Sequence, residues 1–271
     1  MIECSIAMFE ARRDRLIKNY IRQQEIVQLL QSEKAIRVSD LIERFSVTSA
    51  TIRRDLTKLE QSGLIERARG AAQIAKDQKI VLPFMQRGEI ESLEKIAIAK
   101  AAKKLVKDNQ SIILDSGTTT LAFAQELFQV KNLTIITNSV PISYIFMDKD
   151  IEVRLSGGVV LGAHMALIGP DAEQYFSGIQ VDTCFIGVSG VRSGTGFTTS
   201  SPFVSSIKQQ MIRAAKQVVA LVDSSKFSIS SIIEFVRFEE IDILITTYPV
   251  SDKLSLSRLE ELGVEIIYAD R

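Results

Sequence analysis

The sequence predicts an α/β protein in two parts: an N-terminal winged helix-turn-helix followed by a larger, mostly parallel α/β sheet domain. Three observations lead there. Apolar residues recur at helical spacing in short bursts up to about residue 74; two adjacent arginines sit in one of those bursts; and beyond residue 95 short apolar runs alternate with helical ones. The expected division is 1–19 as an N-terminal extension, 20–75 as the winged helix-turn-helix, 76–95 as a linker and 96–271 as the α/β domain.

With 271 residues, 46% of them hydrophobic, the chain can fill real cores. No stretch approaches the roughly 20 uninterrupted apolar residues that span a bilayer. The opening "MIECSIAMFEARRDRLIKNY" has too short an apolar run for a signal peptide, so a cytoplasmic protein without a membrane partner is expected. Cys4 and Cys184 lie far apart with no second Cys or His beside either, which excludes a disulfide framework and zinc spacing; Cys184 in "DTCFIGV" reads as core packing. His164, the single histidine, has no partner of metal-ligand type nearby, and no metal or cofactor is expected. The net charge is zero but unevenly placed. Residues 1–76 carry 14 Lys and Arg against 10 Asp and Glu, a balance of +4, and the remainder carries 19 against 23, a balance of −4. The N-terminal part is the one suited to a polyanion.

Taken in order, "QEIVQLLQS" aligns Ile26, Leu29 and Leu30, "VSDLIERF" aligns Val38, Leu41, Ile42 and Phe45, and Ile52, Leu56 and Leu59 follow at spacings of four and three. That makes three short helices. The "SVT" between the second and third allows only a tight turn, and Thr48 offers a hydroxyl as N-cap to the third. After Gly63, "LIERARGAAQI" reads as two extended arms around Arg69 and Gly70, a β-wing that also carries Arg67. The stretch 76–95 contains Pro83 and Gly88 and mixes charge with apolar residues. Beyond it come the helix "KIAIAKAAKKLV", the strand "SIILD", the helix "TTLAFAQELF" and the strand "LTIIT". The strands "IEVRLSGG", "TCFIGVSG", "VVALVD", "DILIT" and "VEIIYAD" follow, with the helix "SSIKQQMIRAAKQ" between two of them. Wholly apolar strands separated by helices indicate a largely parallel sheet covered on both faces, whose ligand crevice lies beyond the carboxyl ends of the strands.

With Ile52, Leu56 and Leu59 turned to the core, Thr51, Arg54 and Lys58 share another side of the third helix, with Ser49 and Arg53 alongside. An arginine fork can take both acceptors of a guanine edge, whereas lysine acts as a point charge on phosphate. A solvated helix face would also show paired arginines. Here the pair comes with a preceding turn, a cap, a wing and a basic unit, so the expected contacts to double-stranded DNA are Thr48, Ser49, Thr51, Arg53, Arg54, Lys58, Arg67 and Arg69.

The segment "VTSATIRRDLTKLEQSGLIERARGAA" resembles the recognition region of the DeoR family of bacterial sugar-metabolism regulators. The resemblance extends from about Tyr20 through nearly all of the chain, with "ILDSGTTT", "TIITNS", "RLSGG", "VDTCFIGVSGV" and "VVALVDSSKF" in the family's order and approximate spacing. It implies that the second domain has a fold like that of sugar-phosphate isomerases and senses a phosphorylated sugar or related metabolite. It also implies a repressor of a carbohydrate-catabolism operon, released by its effector and working as a homo-oligomer, dimer or tetramer, since two-fold symmetry matches repeated half-sites.

The residues supply a physical reason. In "LDSGTTT" a strand ends at Asp115, Gly117 permits a tight turn and threonines open a helix, so N–H groups, hydroxyls and the positive helix end converge on Ser116, Gly117, Thr118, Thr119 and Thr120 as an anion cradle. The same threonines could be caps and packing residues. A P-loop's glycines and lysine are lacking. The other expected effector residues are Asp115, Asn138 and Ser139, Gly157 and Gly158 where a loop could approach ligand closely, and Lys208, Asp223 and Lys226; a solvated lysine and a capped turn are the plainer readings of the last three. The chain departs from the family pattern where Ala71 follows Gly70, at Val204 where a glutamate is common, at Thr247 where an acid is common, and in its first 19 residues. A sugar-phosphate isomerase or transferase with Asp115, Lys208 and Asp223 as acid-base groups is the rival reading, but an isomerase has no need of a DNA-reading unit.

Overall fold

The computed structural model describes residues 22, 23, 25, 26, 29, 30, 33, 35–61, 65–68, 71–74 and 92–270. The chain divides into two compact units at residues 81 and 82.

In the first unit, helical residues from 22 onward bury Ile26 and Leu30, and β1 (Ala35–Arg37) leads into α1 (Val38–Phe45). Ser46 ends that helix in the left-handed region, φ 51°, with its N–H bonded to Glu43 O at 3.2 Å. Three residues later α2 (Ser49–Gln61) begins, which is the expected tight turn. Thr48 Oγ1 accepts from Thr51 N at 3.3 Å, the expected cap. The wing consists of β2 (Ile65–Ala68) and β3 (Ala71–Ile74), antiparallel with Ala68 opposite Ala71; the Arg69–Gly70 turn lies outside the described residues. β1 pairs with the far side of β3, Ile36 opposite Ala72. The sequence reading had no strand there: three residues ahead of a helix carry too little period to show one. Ile26, Leu30, Ile36, Leu41, Ile52, Leu56, Leu59, Ile65 and Ala72 form the buried core.

The second unit opens with α3 (Ser92–Lys103), then β4 (Ser111–Leu114), α4 (Thr118–Gln125), β5 (Thr134–Thr137), α5 (Val140–Ile145) and β6 (Glu152–Leu155). A hairpin of β7 (Val159–Leu161) and β8 (Ala166–Ile168) precedes α6 (Pro170–Ser177) and β9 (Val181–Gly187). Then come β10 (Gly190–Arg192), β11 (Gly196–Thr199), α7 (Pro202–Arg213), β12 (Ala215–Val222), β13 (Ile233–Arg237), β14 (Ile243–Thr247), α8 (Lys253–Glu261) and β15 (Glu265–Ala269). Helix α3 begins inside the stretch assigned to the linker. Glu94 and Lys95 are buried there, and the charges of "ESLEK" conceal a helix start that tertiary contacts hold in place.

Seven strands form one sheet in the order β15-β14-β12-β9-β4-β5-β6, every pair parallel. Side chains alternate between its two faces. Ile113, Cys184, Ile186, Ala220 and Leu244 pack with α6, α7 and α8, whereas Ile112, Leu114, Phe185, Val219 and Ile245 pack with α3, α4 and α5. Both faces are covered, as the apolar strands require. From β4 the chain runs outward through β5 to β6, then returns to place β9 on the other side of β4. The strand order therefore reverses between β4 and β9, and in open α/β sheets a ligand crevice opens there beyond the carboxyl ends. A smaller antiparallel sheet, β10-β11-β13, and the β7-β8 hairpin are insertions that local apolar period did not reveal.

Candidate functional site

On α2, Ile52, Leu56 and Leu59 are buried while Thr48, Arg53, Arg54 and Lys58 are exposed and Ser49 and Thr51 half-buried. The helix thus presents the expected face. The hydroxyls of Thr48 and Thr51 lie 2.9 Å apart and hydrogen-bond to each other. Arg67 belongs to β2, but its side chain and the whole of Arg69 lie outside the described residues. One residue escaped the sequence reading. Asp55, between the arginines and Leu56, is buried and accepts from Arg22 Nε at 2.6 Å and from Gln23 Nε2 at 2.7 Å.

In the second unit the two ends of the sheet differ. At the amino ends, Asp182 accepts from Ser111 N at 2.9 Å and from Lys216 Nζ at 3.0 Å, and these bonds lower its pKa to about 2. Asp242 accepts from Val218 N at 2.7 Å. At the carboxyl ends the acceptors are left over. Among the described residues six buried side-chain oxygens have no partner, and five of them, Asp115 Oδ1, Ser116 Oγ, Asn138 Oδ1, Asp223 Oδ2 and Thr246 Oγ1, sit at or just past the ends of β4, β5, β12 and β14. The sixth is Thr199 Oγ1 at the end of β11. Buried polar atoms are paired in folded proteins as a rule, so such a concentration marks a place built to receive hydrogen bonds.

The reversal point is occupied by an ion pair. Lys208 Nζ from α7 contacts Asp115 Oδ2 and donates to Gly187 O at 2.8 Å, while Gly187 N donates to the same carboxylate oxygen at 3.1 Å. Both side chains are almost fully buried. The sequence reading named both residues without joining them, and it read Lys208 as a direct contact to effector; the structure gives its charge to Asp115. Cys184, on β9 beneath this pair, is buried; burial raises its pKa far above the ordinary thiol value, Asp115 adding and Lys208 opposing, so it is an inert core residue.

Around the pair, the turn after β4 takes a different form from the expected one. Gly117 has φ −158°, extended backbone open to any residue, so the turn does not need its freedom. Its role is spatial: a Cβ there would stand 3.1 Å from Thr120 Oγ1. Thr120 Oγ1 in turn donates within the turn, with Asp115 O at 2.6 Å and Gly117 O at 2.9 Å, so Thr120 is the packing and capping residue of the set. Thr119 is buried and Thr118 half-buried at the helix start, next to the orphan hydroxyl of Ser116. Ser139 Oγ caps α5 by accepting from Ile142 N, and Asn138 Nδ2 donates to Leu167 O at 2.9 Å, which leaves Asn138 Oδ1 as the free group of that pair.

Gly157 and Gly158 both have left-handed backbone, φ 71° and 106°. At Gly158 a Cβ would stand 2.6 Å from Ile168 O, so the close approach there is to the protein's own hairpin. Asp223 accepts from Ser225 Oγ on one oxygen and has Lys226 Nζ 3.8 Å from the other, a loose pairing beyond hydrogen-bond reach.

Glu94 is the second residue that sequence reasoning missed. Buried at the start of α3, it accepts from Thr247 Oγ1 at 2.5 Å, from Ser224 N at 3.1 Å and from Ser224 Oγ at 3.0 Å. Thr247, the position where the family pattern favours an acid, therefore contacts a carboxylate supplied by another element. Val204 is buried in the first turn of α7, whose cap is Ser201. His164 is buried in a short turn between β7 and β8. Among the described residues no three His, Cys, Asp or Glu are grouped to hold a metal ion, and no helix is long and apolar enough to cross a membrane.

A winged helix-turn-helix, joined in one chain to an α/β unit that gathers unpaired buried oxygens at the carboxyl ends of its strands, is the architecture of a ligand-responsive transcriptional regulator. Residues 22–78 match the DeoR-like helix-turn-helix domain and residues 90–248 the DeoR C terminal sensor domain. The chain belongs to the DeoR family. It is 33% identical over 250 residues to the HTH-type transcriptional regulator GolR of Listeria innocua, covering 92% of this chain and 98% of that one. It is 33% identical over 247 residues to the HTH-type transcriptional repressor GlcR of Bacillus subtilis, covering 91% and 95%, and 29% identical over 249 residues to a putative aga operon transcriptional repressor of Escherichia coli O157:H7, covering 91% and 92%. Among solved structures, ribose 5-phosphate isomerase A from Neisseria gonorrhoeae is similar at 18% identity over 53% of this chain and 55% of that one, with a TM-score of 0.37. The full-length sorbitol operon regulator SorC from Klebsiella pneumoniae is similar at 10% identity over 91% and 95%, with a TM-score of 0.39. At such scores these two likenesses decide nothing about this chain.

Proposed function

We propose that the chain represses a carbohydrate-catabolism operon by binding double-stranded operator DNA through α2 and the wing, and that a phosphorylated sugar or related metabolite bound at the carboxyl ends of β4, β5 and β12 releases it. On this reading it is a cytoplasmic homo-oligomer, dimer or tetramer, and not an enzyme. Its expected divisions are the extension, winged helix-turn-helix, linker and sensor domain given above. The observation that supports the proposal is the gathering of orphan buried oxygens at the carboxyl ends, in contrast to the paired carboxylates of Asp182 and Asp242 at the amino ends. Recovery of genomic fragments by the chain, with and without a panel of phosphorylated sugars, tests it directly; fragments that are never enriched, or never released by any sugar, would sink it.

On the DNA side, Arg54→Ala is expected to weaken binding to the recovered fragment by about 1–3 kcal/mol and to relax its sequence preference. Lys58→Ala should weaken all duplexes evenly and reduce the salt slope by about one unit. Gel-shift titration over a range of salt separates the two, and an Arg54→Ala chain with unchanged affinity and preference would remove α2 from the major groove.

On the effector side, the start of α4 offers N–H groups, Ser116 Oγ and Thr119 to an anion. A phosphorylated sugar should bind about ten-fold or more tightly than its free parent, because the parent leaves those donors without an anion. Thr119→Val should reduce this margin while operator binding persists. Calorimetric titration of both sugars decides it; equal affinities would place the effector elsewhere.

A further inference from the structure

The packing of α2 against its own unit contains a charged contact that DNA reading does not use directly. Asp55 follows Arg53 and Arg54 on the helix but turns inward, with its side chain 2% exposed and that of its partner Arg22 11%. Both carboxylate oxygens are taken, Oδ2 by Arg22 Nε and Oδ1 by Gln23 Nε2, and both donors come from the helical residues that open the unit. Among the described residues, the others buried on α2 are apolar: Ile52, Leu56 and Leu59.

Those two kinds of contact constrain the helix differently. Apolar burial is non-directional, so three aliphatic side chains hold α2 down without fixing its rotation closely. A carboxylate gripped by two donors tolerates far less movement, because hydrogen bonds weaken steeply with distance and angle. Side-chain ends ride about 5–6 Å from a helix axis, so a turn of about 15° would carry the ends of Arg53 and Arg54 by about 1.5 Å. That is enough to lose a bidentate contact with a base edge. Buried ion pairs add little net stability compared with apolar replacements of the same size, and their best-attested use is to specify one arrangement among several.

We propose that Asp55 is a positioning residue for DNA reading: held by Arg22 and Gln23, it sets the rotation of α2 and thereby aims Arg53 and Arg54. The inference rests on α2 being the helix that reads DNA. It is tested on the full chain with two variants, Asp55→Asn, which keeps the shape and removes the charge, and Arg22→Met combined with Asp55→Leu, which replaces the pair by apolar groups. The probes are a duplex selected from a random pool by the wild-type chain and a scrambled duplex of equal length and composition. Thermal unfolding is followed in parallel.

In both variants the preference for the selected duplex is expected to fall about ten-fold or more, with an unchanged salt slope, since no phosphate contact is removed. The double variant should unfold at or above the wild-type temperature and still lack the preference. Preference retained in a folded Asp55→Asn chain, or restored in the double variant together with stability, would overturn the proposal and leave Asp55 a stabilising residue only. Loss of the fold in both variants would overturn it in the same way. Failure of the underlying reading looks different, because an Arg54→Ala chain would then keep the wild-type preference for the selected duplex.

Discussion

Lys208→Ala should cost the second unit about 3–5 kcal/mol of stability. The cause is what it leaves behind. Asp115 is fully buried, its Oδ2 is held by Lys208 and Gly187 N, and its Oδ1 has no partner. Without the lysine a carboxylate is stranded in the interior with no counter-charge, and its desolvation is no longer offset. Chemical denaturation at neutral pH measures the loss. A control distinguishes an ion pair that matters from a packing defect: Lys208→Met with Asp115→Leu removes the stranded charge and should recover most of the lost stability. If the double variant is as unstable as Lys208→Ala, the pair is not the cause. Effector binding should fail in the double variant although its stability recovers, because it lacks Asp115 Oδ1, one of the acceptors that face the effector on the proposed reading.

Leu56→Ala should remove about 2–5 kcal/mol from the first unit, through lost burial and the cavity left behind. Leu56 is fully buried, and among the described residues its core has nine buried members, three of them on α2, so its side chain is a large share of what fills that core. Hydrogen exchange reads the result by location. Amides of α1 and α2 should lose protection while those of β4, β9 and β12 keep it, and operator binding should fall although no DNA-facing side chain has changed. Equal loss of protection in both units, or none in either, would contradict this account.

The parts of the structure legible in the sequence are those decided locally. Aliphatic residues at spacings of three and four revealed α1 and α2, and the apolar runs revealed all seven strands of the large sheet, because burial of those side chains is what forms the elements. Thr48 could be read as a cap from its position alone. The strand β1 could not, since its three residues are extended only because β3 lies beside them. Contacts between distant residues were invisible for the same reason. Lys208 and Asp115 are 93 positions apart and Thr247 and Glu94 are 153 apart, and no local pattern states that one side chain will meet another across a sheet. Residue type marked Asp115 and Lys208 as chemically capable; only the topology made them partners. Thr118, Thr119 and Thr120 look alike in sequence, yet the turn engages the hydroxyl of Thr120.

The knot at Glu94 has a mechanical side. Helix α3 is the first described element of the second unit, and its first turn is tied by Glu94 to Ser224, just past β12, and to Thr247, at the tip of β14. Those two strand ends border the orphan acceptors Asp223 Oδ2 and Thr246 Oγ1. The first turn of α3 is thus moored to the carboxyl ends of two strands of the sheet. Any displacement of those strand ends pulls on the mooring, so α3 and the two strands are held to move together.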